Sequence, residues 1–138
     1  MRYILILLVV LISQTSFSQN DGDTKIIITL NDKEGMYEKV KIALVKNDFI
    51  VKDDGNKDTL RTYPRELSSL NGYSIFNAIL NDKQVILSGA YGLKKINDWG
   101  YTTSPKGYKR IIYFKGSKGW KLLIQVAQTI GGDISFSQ

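Results

Sequence analysis

Trp120-Lys121-Leu122-Leu123-Ile124-Gln125-Val126-Ala127-Gln128-Thr129-Ile130 admits two readings, and the choice between them decides the fold. By composition the stretch suits a buried strand. By spacing it does not, because Trp120, Leu123, Ile124, Ala127 and Ile130 recur at intervals of three and four, which gathers them on one side of a helix. Ser117 stands where an N-cap belongs and Gly131-Gly132 where a C-cap belongs. The segment is therefore read as a helix. Residues 133–137 (DISFS) close the chain as a short strand with Ile134 and Phe136 facing the same side.

Upstream, residues 109–115 (KRIIYFK) have strand character, and residues 92–107 form the longest loop, with several glycines, Pro105 and little periodicity. Residues 73–80 and 84–91 read as two strands, and Asn81-Asp82-Lys83 between them has the composition of a tight hairpin loop. Residues 49–52 and 59–63 read as another strand pair around Asp53-Asp54-Gly55-Asn56, with Pro64 stopping the second because proline cannot donate to a ladder. Residues 25–30 (KIIITL) are β-branched and apolar, as in a buried strand. Residues 33–46 then predict a helix whose buried face carries Met36, Tyr37, Val40, Ala43 and Leu44. Asn31 is its expected cap, with Glu34 reaching back, and Asn47-Asp48 its exit, Asn47 tolerating the left-handed conformation a helix exit often requires.

The two ends of the chain repeat one order, strand, helix, strand. This predicts an α+β fold: a curved, mostly antiparallel sheet with two helices packed on one face, built from two pseudo-equivalent strand-helix-strand units. The order resembles the TBP-like or helix-grip α+β domains of small, uncharacterised exported bacterial proteins. The resemblance covers most of the chain beyond residue 24 and implies a binding or assembly module. It carries over no catalytic residue.

Residues 1–18 have the layout of a secretory signal peptide: Arg2, an unbroken apolar run over residues 4–12, then small Ser16 and Ser18. Gln14, Thr15 and Ser16 end the run well short of the roughly 20 apolar residues a membrane-spanning helix needs. Cleavage is expected between Ser18 and Gln19, which leaves a flexible lead over residues 19–24 and a single domain over residues 25–138. The expected location is exported, periplasmic or secreted. With no cysteine at the cleavage point there is no thioether lipid anchor.

The chain contains neither cysteine nor histidine, which removes disulfides, thiolate metal sites, and the serine, cysteine and histidine relays of hydrolases. Carboxylate, lysine and tyrosine chemistry remain. No motif implies a cofactor or a metal. Asp54, Asn56 and Asp58 are spaced like the first ligands of a calcium loop, but Thr59 replaces the required glycine and Arg65 the required glutamate. The expected role of these side chains is to hold an acidic turn by folding back on their own backbone. Gly89-Ala90-Tyr91-Gly92-Leu93-Lys94 lacks the spacing of a phosphate-binding loop. Gly116-Ser117-Lys118-Gly119 joins strand to helix in a manner that suits an anion, with Ser117 as a plain cap the simpler reading.

The net charge of +6 is unevenly spread. From Lys83 to Lys121 there are nine basic residues against the single Asp98. Such a basic half favours anionic partners. Within it, Lys94, Lys95, Trp99, Tyr101, Lys106 and Tyr108 alternate cations with aromatic rings and form the expected binding site, suited to an anionic or carbohydrate envelope component or to a protein. The alternative for these aromatics is to pack the loop onto the sheet. Export argues against nucleic acid. The expected function is a non-enzymatic exported binding or assembly domain. One rival is a carboxylate or lysine enzyme acting on an envelope polymer, with Asp53, Asp54 and Asp58 set against Glu66. Another is an inhibitor or assembly partner that adds the strand around Ile134 and Phe136 to a neighbour.

Overall fold

A computed structural model describes residues 18–68, 71–100, 102–103, 105 and 107–138. The signal segment up to residue 17, Tyr101 and Lys106 therefore lie outside the described residues.

A long hairpin organises the molecule. Strands β5 (Gly72–Asn81) and β6 (Gln84–Leu93) pair along their full length around Asp82-Lys83, with Asp82 in the left-handed region at φ 50°. Their side chains alternate faces as a pleated strand requires. Ser74, Phe76, Ala78, Leu80, Val85 and Leu87 are buried on one face, while Ile75, Asn77, Ile86 and Ser88 are half-buried on the other. Strand β1 (Lys25–Thr29) adds to β6, and β10 (Asp133–Ser137) adds to β1 as an edge. On the opposite flank β3 (Thr59–Thr62) pairs with β5, and β2 (Val51–Lys52) with β3. All these pairings are antiparallel.

Helices α1 (Met36–Lys46) and α2 (Lys118–Ile130) share one core with the buried face of the sheet. The buried residues of α1 are Met36, Val40, Ala43 and Leu44, four of the five expected from spacing, with Tyr37 packed beside them. In α2, Ser117 caps the helix by accepting the Trp120 amide at 3.2 Å, and Trp120, Leu123, Ala127 and Ile130 are buried with Gly119 and Val126. Trp120 lies between Tyr113 and Phe136, with ring centroids 5.8 and 6.0 Å away. The domain is thus α+β, an open antiparallel sheet with two helices.

Local chemistry departs from expectation at five places. The Asn31–Glu34 capping box does not form, because the Asp32 carboxylate takes the Glu34 amide at 2.9 Å in a turn. Helix α1 starts at Met36 instead, after Gly35 at φ 66°. At its exit Asp48, and not Asn47, is the left-handed residue, at φ 62°. The Asn47 amide instead donates to Ala43 O at 2.8 Å and to Thr129 of α2 at 3.1 Å, while Arg65 donates to Asn47 O at 2.6 Å. These bonds satisfy helix-end carbonyls and link the two helices.

Phe49 belongs to the core and not to a strand: it is buried and stacks on Phe76 at 4.3 Å. Pro64 interrupts the sheet without ending it, since β4 (Arg65–Leu67) rejoins β5. At the break the buried Thr62 hydroxyl accepts the Phe76 amide at 2.9 Å, replacing the missing backbone partner. The strand expected over 109–115 is regular only at β9 (Lys109–Arg110). Beyond it, single bonds from Ile111 N to Gly89 O and from Tyr113 N to Asp23 O, both 2.8 Å, carry the chain along the sheet. The same contacts fasten the lead: Gly22 N donates to Tyr113 O, and Asp23 and Thr24 are buried.

Candidate binding surface

The loop after β6 contains a second, separate pair of short strands, β7 (Lys95–Ile96) and β8 (Thr102–Thr103). Every residue from 95 to 100 is exposed. Asn97 shapes the turn: its side chain accepts the Trp99 amide at 3.1 Å and its carbonyl accepts Gly100 N at 2.9 Å. Asn97 thereby places Trp99 at the tip with 85% of its surface free, next to Ile96 at 75%. The packing alternative for Trp99 fails, since a ring holding the loop to the sheet would be covered.

The base of the loop is anchored. A Cβ at Gly92 would lie 2.5 Å from Pro105 Cβ and 2.9 Å from Gly107 O, so the returning chain sits directly on β6 where a side chain is missing. Lys94 is part of this anchor. Its amide donates to Asn71 O at 2.9 Å, its ammonium pairs with Glu66, and it lies 5.8 Å over the Tyr73 ring. With only 19% of its side chain accessible, Lys94 braces β4 and β5 against the loop.

Lys95, Tyr108 and Lys109 come together where Lys94 does not. They line a cleft of about 480 Å³ walled by Tyr91, Leu93 and Pro105. A second, more apolar cleft of about 320 Å³ shares Tyr91 and Lys109 and extends to Ser117, Lys118 and Gly119 at the start of α2. In the wall of the second cleft Ile111, 2% exposed, fills a notch left by two glycines: a Cβ at Gly89 would meet its Cδ1 at 2.9 Å and one at Gly119 at 3.2 Å. Of the six residues expected at the site, Lys95, Trp99 and Tyr108 present surface, Lys94 is held by Glu66, and Tyr101 and Lys106 fall outside the described residues. Sequence reasoning missed the aliphatic part, Leu93 and Ile96, 57% and 75% exposed. Their signal was two large aliphatics beside consecutive lysines in a stretch without core periodicity.

The carboxylates are not brought together. Asp53 and Asp54 accept the Gly55 and Asn56 amides at 3.3 and 3.0 Å, and Asn56 accepts Asp58 N at 2.8 Å, the expected self-held turn. Glu66 is opposite Tyr73 and Thr59 opposite Ile79, six positions along β5, which at strand rise is about 20 Å. Among the described residues no group of three His, Cys, Asp or Glu could hold a metal ion, and no helix is long and apolar enough to cross a membrane.

Family models, curated proteins and solved structures yield no significant match to the chain.

Proposed function

We propose that this is an exported, non-enzymatic binding domain that contacts an anionic or carbohydrate component of the cell envelope through the Lys95, Trp99, Tyr108 and Lys109 surface. The observation that carries the reading is Trp99, 85% exposed at the tip of a hairpin whose base is anchored on β6. Contiguous exposed apolar surface marks an interaction site, and Trp99 has Ile96 and Leu93 exposed on the same segment. The cations beside it set the sign of the partner. The basic balance from Lys83 to Lys121 supports the same sign. The strand-helix-strand order at both ends favours two pseudo-equivalent units of a TBP-like or helix-grip domain, a scaffold suited to binding.

Export rests on residues 1–18, and mass spectrometry of the exported fraction should show a chain beginning at Gln19. Binding is tested by co-sedimentation of the domain with isolated envelope fragments over a salt series. Wild type should pellet at low salt and be released as salt rises, and Lys95→Ala with Lys109→Ala should weaken binding and flatten its salt dependence. Equal pelleting of wild type and double variant at every salt concentration would remove this surface from the account.

A second reading has one observation in its favour: β10 is a sheet edge, paired among the described residues with β1 alone. Such an edge suits strand addition to a neighbour. Crosslinking from Ser135→Cys in the envelope would then trap a protein at this edge.

A further inference from the structure

Deepening that reading and resting on it, we infer that the partner of the β7–β8 hairpin is the surface of a bilayer containing anionic phospholipid, with Ile96 and Trp99 entering the interface and Lys95 and Lys109 meeting lipid phosphates. A hydrated glycan rewards a flat aromatic face, and Trp99 or Tyr108 would supply one. It rewards an exposed aliphatic chain less, yet Ile96 is 75% and Leu93 57% exposed on the same segment. Aliphatic surface gains free energy by leaving water for the acyl boundary, and an indole ring prefers the headgroup level beside it.

Shape points the same way. Among the described residues the hairpin is hydrogen-bonded separately from the main sheet, and a Cβ at Gly100 would meet none of their atoms within 4 Å. A protruding tip that bears an indole ring and an aliphatic chain can enter the bilayer interface, where both side-chain types are favoured. The cations are placed for the headgroups: Lys95 and Lys109 line one cleft with Tyr91, Leu93 and Pro105, so a phosphate at the mouth has apolar walls behind it for the first carbons of its chains. Asp98 at the turn is the one opposing charge in the hairpin. With two apolar anchors and a few cations, binding is reversible and depends on anionic lipid.

The chain contains its own probe, because its two tryptophans differ in exposure, Trp99 at 85% and Trp120 at 2%. The domain is titrated with vesicles of phosphatidylcholine, with or without a minority of phosphatidylglycerol, and separately with dextran sulfate as a lipid-free polyanion. Phosphatidylglycerol vesicles should shift the emission to the blue and protect it from aqueous iodide, and Trp99→Phe should abolish the shift. Ile96→Ser, at an exposed position that does not threaten folding, should lower vesicle partitioning about 10-fold, as losing one aliphatic anchor does. Lys95→Ser should lower it about 5-fold, and only where phosphatidylglycerol is present. Dextran sulfate should bind without a blue shift. Binding to dextran sulfate with no shift on phosphatidylglycerol vesicles would overturn the bilayer as partner while leaving an anionic envelope partner standing. Binding to neither would overturn both.

Discussion

Trp120 and Trp99 are the same residue type in opposite circumstances. Trp120 opens α2 with its ring between Tyr113 and Phe136, 2% exposed. Trp99 stands at a hairpin tip, 85% exposed, with its backbone held by Asn97 and its ring by nothing in the core cluster. The difference comes from their neighbours along the chain. Around Trp120 the apolar residues repeat with the period of a helix, so burying one buries the rest. Around Trp99 they follow no period that one face could absorb, and lysines and glycines keep the segment in water. One tryptophan specifies the fold, and the other is available to a partner.

Four substitutions would break or sharpen that contrast. Trp120→Ala should cost about 3–5 kcal/mol in denaturant unfolding, as truncating a large aromatic in a packed core does. A loss below about 1 kcal/mol would place the ring outside the core. Ile111→Ala should come next, at about 2–4 kcal/mol, because Gly89 and Gly119 cannot fill the notch it vacates. If Ile111→Ala behaves as a surface change, the seam between β6 and α2 is not closed as described. Ser117→Ala removes the acceptor of the Trp120 amide and should lower stability by about 1 kcal/mol, with circular dichroism retaining most of the helix. The smallest effect is expected at the loop, where Lys95→Ala should move stability by no more than about 0.5 kcal/mol.

The contrast also marks what could be read in the sequence. Helix α2 was legible in its extent, because periodicity, the Ser117 cap and the glycines after Ile130 all agree, although its face is turned slightly, with Val126 buried and Ile124 only half-buried. The buried face of α1 was legible and its start was not. Two competing local bonds exist near Asp32, and the Asx turn wins over the capping box. Strand β4 was hidden by Pro64, since the Thr62 hydroxyl that bridges the break leaves no periodic trace. The β7–β8 pair is two residues on each side, too short to impose alternation. In the proposed binding segment, the mixture of cations and aromatics marked residues that the fold leaves exposed, Lys95, Trp99 and Tyr108. It did not distinguish Lys94 from Lys95, because only the fold sets Glu66 beside one of them.

The most direct test of this account is Trp99→Ala, with unfolding free energy and envelope binding measured on one preparation. Stability should change by less than about 0.5 kcal/mol, as at exposed sites, while binding to envelope fragments and to phosphatidylglycerol vesicles falls sharply. A stability loss above about 2 kcal/mol with binding unchanged would show that Trp99 is a packing residue and that the hairpin is not the binding surface.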